Sequence, residues 1–185
     1  MITKENYLVK YKLTNQNMQT YNGFQWELGK EYGTDGTGPL CTNKWLHFYD
    51  SPLLAILHNP IHADIENPRL FKVHVWGNWK DNKGLKCGFS KAHMINEIDQ
   101  AVITKTNKIA YVILCVKKVY KNKDWIEWAN LWLSGENRSS STATAANAAA
   151  NAAANAVYAA ANVYAATNAK TINLIEIAKQ AMKIK

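Results

Sequence analysis

The stretch WGNWKDNKGLKCGFSKAH, from Trp76 to His93, brings aromatic, basic and glycine residues close together in the chain. Aromatic faces stack on nucleobases and lysines neutralise phosphates, while glycines let a backbone approach a ligand closely. The stretch contains neither a P-loop nor a GxGxxG pattern. We therefore predict a loop that binds a nucleotide-type ligand. The alternative is a solvated basic loop with Trp76 and Trp79 in the core. The predicted ligand-binding residues here are Trp76, Trp79, Lys80, Lys83, Lys86, Lys91 and His93.

A second candidate site lies in the sequence KWLHFYDS and comprises Lys44, Trp45, His47 and Tyr49. In a strand, His47 and Tyr49 share one face. The segment resembles the second core segment of ADP-ribosyltransferase-like folds, where a short strand leads to a helix near the nicotinamide pocket. That resemblance implies a catalytic glutamate on a later strand, and Glu97 is suitably placed. The competing interpretation is a histidine whose hydrogen bonds are satisfied within the core.

A third set of residues has the spacing of metal ligands. His58 and His62 are separated by four positions, as in helical zinc pairs, and Asp64 and Glu66 follow them. Pro60 lies between the two histidines and is expected to stop the helix that would align them. No metal or other cofactor is therefore predicted.

Several classes of protein are excluded or disfavoured. The three cysteines form no CxxC pair, which excludes a zinc knuckle, and free thiols are typical of the reducing cytosol. The N-terminal sequence MITKENYLVKYKL lacks the apolar segment of a signal peptide, and no apolar run is long enough to span a membrane. No catalytic residue is predicted, because no nucleophile–base pair can be argued from spacing. The formal net charge of +8 favours an anionic partner.

The elements that would position these residues follow from hydrophobic spacing and turn residues. Apolar alternation predicts strands, and helical spacing predicts helices. Pro52 is expected in the first turn of a helix capped by Asp50 or Ser51, and Gly135 is expected to end another. The result is an α+β fold with a small mixed or antiparallel sheet. The predicted strands span 7–13, 24–32, 45–49, 70–76 and 92–98, the helices 100–120 and 123–133, and the loops 33–40 and 79–90.

The C-terminal region has a different composition, since 16 of the 27 residues from 143 to 169 are alanine. Alanine is the best helix former, and asparagines recur at helical spacing, so a long helix with one polar face is predicted. Small side chains allow close approach of another helix. We expect residues 143–182 to form a homo-oligomer, the alternatives being a helix docked on its own head or a hairpin. The predicted domains are an α+β head, residues 1–135, and an oligomerisation segment, residues 136–185.

The chain resembles an uncharacterised family of bacteriophage and prophage proteins. The resemblance rests on GFQWELGKEY with LC and LHFYDSPL, on WANLWLSGENR, and on the Ala-rich tail that ends in INLIEIAKQAM. Where the family usually has Gly-Phe-His, this chain has Trp45, Leu46 and His47. Similar Ala-rich repeats occur in putative immunity proteins. The resemblance implies a phage setting and brings no catalytic residues.

The expected function follows from the charge, the aromatic–lysine stretch and the phage setting. We expect a non-enzymatic protein, cytoplasmic in the infected bacterium, that sequesters an anionic nucleotide-type immune signal without cleaving it. One alternative is an ADP-ribosyltransferase-like or nucleotide-cleaving enzyme. Another is an inhibitor that docks directly on a host protein. Direct binding of nucleic acid is a less favoured variant, and no membrane partner is expected.

Overall fold

A computed structural model describes residues 1–138 and 172–185. The chain forms two compact units, Met1–Ala101 and Val102–Lys185. This division differs from the domain boundary predicted after residue 135, because the two helices before Gly135 group with the second unit. The first unit contains a β-sheet and one helix, and the second is helical within its described part, which confirms the α+β class.

The first unit has seven strands and helix α1 (Pro52–His62). All five strand pairings are antiparallel. Four of them form the larger sheet, and the fifth forms a small hairpin. The strands are β1 (Leu8–Thr14), β2 (Gln19–Thr20), β3 (Phe24–Gln25), β4 (Glu31–Gly33), β5 (Leu46–Phe48), β6 (Arg69–Asp81) and β7 (Cys87–Glu97).

The larger sheet closes into a ring of four strands. β1 pairs with β6, β6 pairs with β7, and β7 pairs with β5. A backbone bridge between Tyr11 and Tyr49 then joins the end of β5 back to β1. β4 extends the sheet by pairing with β7 beyond β5. The ring therefore has an inner face and an outer face.

The alternation predicted for β6 is confirmed and assigns these faces. Phe71, Val73 and Val75 are fully buried in the core inside the ring. Residues that are directly paired across antiparallel strands lie on the same face. Met94 and Ala92 of β7, which pair with Val73 and Val75, are accordingly buried with them.

The predicted loop at 79–90 is wrong. β6 continues to Asp81 and β7 begins at Cys87, so the region is a β-hairpin with a short turn. Lys83 and Gly84 have φ of 52° and 78°, which allows the chain to reverse tightly there. The lysine and glycine content that indicated a loop instead belongs to the turn and to two paired strands, because cross-strand pairing overrides local composition.

Helix α1 also differs from the expectation, since it runs through Pro60 to His62. Proline costs one intrahelical hydrogen bond, and only two residues of the helix follow Pro60. Packing of the apolar face stabilises the helix instead. Ala55 is buried in a cluster with Leu13, Tyr49 and Leu70 on the outer side of the ring.

The second unit contains helices α2 (Lys105–Val119), α3 (Lys123–Ser134) and α4 (Leu174–Ala181). α2 starts at Lys105 rather than at residue 100, because Thr104 and Asn107 form a reciprocal capping box. α3 ends at Gly135 as predicted, with a left-handed φ of 88°. α2 packs against both α3 and α4.

The long C-terminal helix is not confirmed. Asn173 is non-helical, with ψ of 88°, and its side chain accepts a hydrogen bond from the backbone N–H of Glu176 at 3.1 Å. α4 therefore begins at Leu174, and Asn173 caps it. The remainder of the predicted helix, including the proposed oligomer contact, lies outside the described residues. Within the described ranges, no helix is long and apolar enough to cross a membrane.

Asn107 joins the start of α2 to the C-terminus of α4. Its side-chain amide donates hydrogen bonds to the carbonyl oxygens of Ala181 and Ile184 at 3.0 and 2.9 Å. Its Oδ1 accepts from the Thr104 hydroxyl at 2.7 Å. The residue is buried, so loss of its amide leaves buried polar groups without partners.

We expect Asn107→Ala to destabilise the second unit by about 1–3 kcal/mol, because the abandoned carbonyls keep their desolvation cost. Urea unfolding gives the loss, and hydrogen exchange of the α4 amides localises it. Asn130→Ala is the matched control, since Asn130 is exposed and accepts one bond from Lys117. Equal losses in the two variants would contradict this role of Asn107.

Candidate functional site

Several of the predicted ligand-binding residues hold the loop at 36–44 against the outer face of the ring. The Trp45 indole and the Lys80 ammonium donate to the carbonyl oxygen of Gly38, at 3.3 and 3.1 Å. His47 Nε2 donates to the carbonyl oxygen of Leu40 at 2.5 Å. Lys44 lies in the same loop, and its carbonyl oxygen accepts from the Gly36 N–H at 2.9 Å. The polar side-chain groups of Trp45, His47 and Lys80 are therefore engaged with the protein backbone.

Gly88 makes this arrangement possible. It lies opposite both His47 and Lys80, and a Cβ there would come within 2.4 Å of the Leu40 side chain. The loop thus covers a part of β7 that has no side chain. Burial, chiefly, and then the charges of Lys12 and Lys86 lower the pKa of His47, partly offset by its bond to Leu40. The imidazole is accordingly neutral where it holds the loop.

Tyr49 lies on the same outer face as His47, as predicted, but is buried beneath α1. Its hydroxyl is 3.1 Å from His62 Nδ1, and the two rings stack at 5.8 Å. Burial raises the pKa of the Tyr49 hydroxyl. Glu97, the glutamate required by the ADP-ribosyltransferase interpretation, forms a two-bond ion pair with Arg69. It is nine residues along β7 from Gly88, the partner of His47, or about 30 Å. The structure does not bring these residues together.

The two histidines of α1, His58 buried and His62 half-buried, form a pair without the further ligands of a metal site. Their rings are 5.5 Å apart, and His58 Nδ1 donates to the carbonyl oxygen of Leu85 at 3.1 Å. Asp64 and Glu66 lie beyond the helix and are exposed. Among residues 1–138 and 172–185, no group of three or more His, Cys, Asp or Glu is arranged to hold a metal. All three cysteines are free thiols.

Burial dominates the electrostatics of this pair. It lowers the pKa of His58 to about 4, against a smaller upward effect of the bond to Leu85. Burial, chiefly, and then the charges of His58, Lys86 and His47 lower the pKa of His62 to about 3. His62 Nε2 is buried and has no hydrogen-bond partner. Both imidazoles are neutral at pH 7.

The hairpin distributes the remaining predicted residues over separate surfaces. A bulge between Trp76 and Trp79 changes the register, so that Trp79 faces Phe89 and stacks on it at 6.5 Å. Trp79 remains 55% exposed at the end of the ring. Lys83 lies in the turn and is exposed, whereas Lys86 is half-buried.

Trp76, Lys91 and His93, by contrast, lie together on the outer face of β6 and β7. Trp76 pairs with Lys91, and His93 pairs with His74. Tyr7, 44% exposed, stacks on the His74 ring with a centroid distance of 3.7 Å. We call this surface the outer-face patch. It consists of Tyr7, Lys72, His74, Trp76, Lys91 and His93.

The outer-face patch combines aromatic faces with positive charge. Lys4 lies 5.6 Å from the Trp76 ring and is neutralised by an ion pair with Glu31. Lys72 and Lys91 form no ion pair with any described residue. Partial burial and then the neighbouring Lys72 and His93 lower the pKa of His74. A neutral, stacked imidazole next to uncompensated lysines is suited to an aromatic anion.

Two functional candidates that the sequence interpretation missed lie on β1. Lys10 and Lys12 pair with Val73 and Phe71, so both side chains point to the inner face of the ring. Alternation in YLVKYKL does place the two lysines on one face. The sequence does not show that this face is covered, because the covering depends on pairing with β5 and β6.

The positive charge of Lys12 is less compensated than that of Lys10. Its ammonium lies 5.2 Å from the Trp26 ring centroid and 5.6 Å from that of Phe48, and donates to the His47 carbonyl oxygen at 2.9 Å. Burial, then the charge of Lys86, lowers its pKa to about 8, and Cys87 opposes this shift. The side chain as a whole stays half-buried, although its ammonium is desolvated.

Lys10, in contrast, has a carboxylate partner. It forms an ion pair with Asp50 and lies 5.9 Å from the Phe89 ring. The Cys87 thiol is 3.5 Å from the carbonyl oxygen of Phe48, and burial together with Asp50 raises its pKa to about 12. The thiol is therefore protonated and a poor nucleophile.

Comparison with known proteins defines the family but no activity. No protein of curated function and no solved structure matches the chain. The matching family model is described as a domain of unknown function and covers β1 to β7, hence Lys12 and every residue of the outer-face patch except Tyr7. That model, DUF7666, matches residues 8–106, more than half of the 185 residues, and the chain therefore belongs to this family.

Proposed function

We propose that the protein binds a small anionic, nucleotide-type ligand on the outer-face patch and holds it without cleaving it. The observation that carries this proposal is the exposed stack of Tyr7 on His74, which lies on the same face as Trp76, Lys72 and Lys91. Rings of this kind stack on nucleobases, and unpaired ammonium groups bind phosphate.

Binding without chemistry is favoured by the groups at this surface. The patch offers no thiol or carboxylate of its own, and Glu31, the nearest acid on β4, pairs with Lys4. His93 lies opposite Glu31, so its position is fixed within the sheet. A stacking platform flanked by lysines supplies affinity. Cleavage would also need a general base, for which the patch has only imidazoles, and that of His74 is stacked on Tyr7.

The biological setting is part of the same proposal. A phage protein that withdraws a nucleotide signal from a bacterial defence system needs only affinity and release of an intact ligand. The resemblance to phage and prophage proteins supports this setting. Cytoplasmic action in the infected cell and assembly through residues 143–182 remain predictions with it.

We expect Trp76→Ala and Lys91→Ala each to weaken binding by roughly 10–150-fold. Loss of one charge-assisted contact is worth about 1.5–3 kcal/mol, and loss of one stacked ring has a similar effect. Calorimetry with a panel of mononucleotides and cyclic dinucleotides gives the affinities. Lys83→Ala is the matched control, because Lys83 is an exposed lysine in the turn of the same hairpin.

Three other outcomes would contradict the proposal. Unchanged affinity in both variants, with near-UV circular dichroism intact, would place the ligand elsewhere. If the protein bound a single-stranded oligonucleotide but no small nucleotide, the outer-face patch would be a nucleic-acid surface instead. Chromatography of the supernatant after heat release would show altered nucleotide if the protein were an enzyme.

A further inference from the structure

Lys4 lies over the Trp76 ring at the edge of the outer-face patch. Its ammonium nitrogen is 5.6 Å from the ring centroid and forms an ion pair with the Glu31 carboxylate on β4. Glu31 is directly opposite His93, so its side chain lies on the outer face of the sheet as well. An aromatic ring, an ammonium group and a carboxylate therefore adjoin one another on this surface.

The backbone that carries Lys4 is fixed to the sheet, but its side chain is not buried. Ile2 and Gly77 exchange two backbone hydrogen bonds, at 3.1 and 2.8 Å. The side chains of Lys4 and Glu31 are 58% and 47% exposed. An exposed ion pair contributes little stability, so the ammonium can leave the ring by rotation of the lysine side chain alone.

The ammonium occupies the position that the edge of a stacked base would take. A base stacked on the indole places its edge nitrogens about 5 Å from the ring centroid. The hydrogen bond from Lys4 is the main cause that lowers the pKa of Glu31, so the carboxylate is ionised at neutral pH. An ionised carboxylate only accepts hydrogen bonds. A group that replaces the ammonium must therefore donate them.

Among the common bases, guanine meets this requirement. Its N1–H and its exocyclic amino group are adjacent donors, and two parallel N–H donors match the two oxygens of a carboxylate. Adenine and cytosine each present an amino group next to a ring nitrogen that accepts, and the N–H of uracil lies between two carbonyl oxygens. A carboxylate repels these acceptors.

We propose that the outer-face patch selects guanine through Glu31, with the base stacked on Trp76 in place of the Lys4 ammonium. This inference rests on the proposed function, nucleotide binding on that patch, and adds the identity of the base. The displaced ammonium exchanges the carboxylate for a phosphate group of the ligand. Lys91, directly opposite Trp76 on β7, supplies a second cation for the phosphate.

The test compares nucleotides that differ only in the base. GMP, IMP and AMP carry the same sugar and phosphate, and IMP keeps the N1–H of guanine but lacks its amino group. We expect the full-length protein to bind GMP roughly 10–150-fold more tightly than AMP, with IMP between them, because the charge-assisted bonds to Glu31 are lost in turn. Calorimetry at one salt concentration gives the affinities. Cyclic di-GMP and cyclic di-AMP provide the same comparison for a ligand with two bases.

Glu31→Gln separates the carboxylate from the stacking surface. The variant keeps Trp76 and the lysines, so it should still bind nucleotides but lose most of the preference for GMP. Glu27→Gln is the matched control, because Glu27 is a similarly exposed glutamate that pairs with Lys30 outside the outer-face patch. This control should keep the preference for GMP.

The outcomes distinguish this inference from the proposed function. Equal affinity of the wild type for GMP, IMP and AMP, or a preference for GMP that Glu31→Gln retains, would overturn the selection of guanine and leave nucleotide binding intact. Absence of binding by every nucleotide in the panel would overturn both. The comparison among nucleotides is made on the wild-type protein and does not depend on the folding of a variant.

Discussion

Lowering the pH from 7 to 4 is expected to reduce the free energy of unfolding of the first unit by about 6 kcal/mol through His58 and His62 alone. The folded-state pKa values of about 4 and 3 lie below the ordinary value of 6.5. The unfolded chain therefore binds protons at these residues before the folded chain does. Their contribution is fully present above pH 6.5 and is lost as the pH falls toward the folded pKa values. Each histidine accounts for about 3 kcal/mol at pH 4.

The loss is large compared with the 5–15 kcal/mol that is typical of a whole domain. His58 is fully buried, and the His62 ring lies 5.5 Å from it, so two charges at this place would also repel each other. The pair therefore titrates as a unit. Urea unfolding followed by tryptophan fluorescence at pH 7 and pH 4 measures it.

His62→Phe isolates one half of the effect. Phenylalanine keeps an aromatic ring next to Tyr49, whose ring stacks on His62 at 5.8 Å, but cannot take up a proton. Between pH 7 and pH 4, the free energy of unfolding of the variant should therefore fall by about 3 kcal/mol less than that of the wild type. His93→Gln, which replaces a histidine on the outer face of the sheet, is the matched control. If the wild type and His62→Phe lost the same free energy of unfolding between pH 7 and pH 4, the assignment to His62 would be refuted.

Raising the pH from 7 to 10 should stabilise the wild-type protein relative to Lys12→Met by roughly 2–3 kcal/mol. The folded pKa of Lys12, about 8, lies below the ordinary lysine value of 10.5, so the unfolded chain binds the extra proton between these values. The full cost of burying the ammonium is present below pH 8, and it disappears as the pH approaches 10.5. Methionine has a similar length and no charge, which removes this pH dependence.

The measurement is the difference between the unfolding free energies of the two proteins at several pH values. Groups that titrate in both proteins cancel in that difference, including the tyrosines. Lys83→Met is the matched control, because it makes the same substitution at an exposed turn position. Parallel profiles for wild type and Lys12→Met would show that the Lys12 ammonium is solvated in the folded state.

The local pattern of the sequence determined a large part of the first unit's framework. Alternation in LFKVHVW correctly assigned Phe71, Val73 and Val75 to one face of β6. Pro52 opens α1 as predicted, although the Ser51 side chain makes no cap hydrogen bond, and Gly135 ends α3, because a fixed φ and a left-handed φ each select a residue type locally. These features depend on near neighbours, and near neighbours are visible in the sequence.

The candidate site was predicted only in fragments. Trp76, Lys91 and His93 do share a surface, although as members of two paired strands rather than of a loop. Trp45, His47 and Lys80 have the residue types of a ligand site, but they bond to backbone carbonyls of the loop at 36–44. Aromatic and basic side chains serve both purposes, and composition cannot distinguish them.

Tertiary structure alone decided the environment of the titratable groups. The two-residue period of a strand places Lys10 and Lys12 on one face of β1, and the sequence contains nothing more about them. The pairing of β1 with β6 and the bridge from Tyr11 to Tyr49 turn that face inward. Likewise, α1 continues through Pro60 because its apolar side is buried against β1, and His58 and His62 are thereby brought within 5.5 Å. Local periodicity fixes which side chains share a face, whereas the covering of that face depends on strands distant in the chain. Burial, and with it the pKa, is therefore a property of the closed ring.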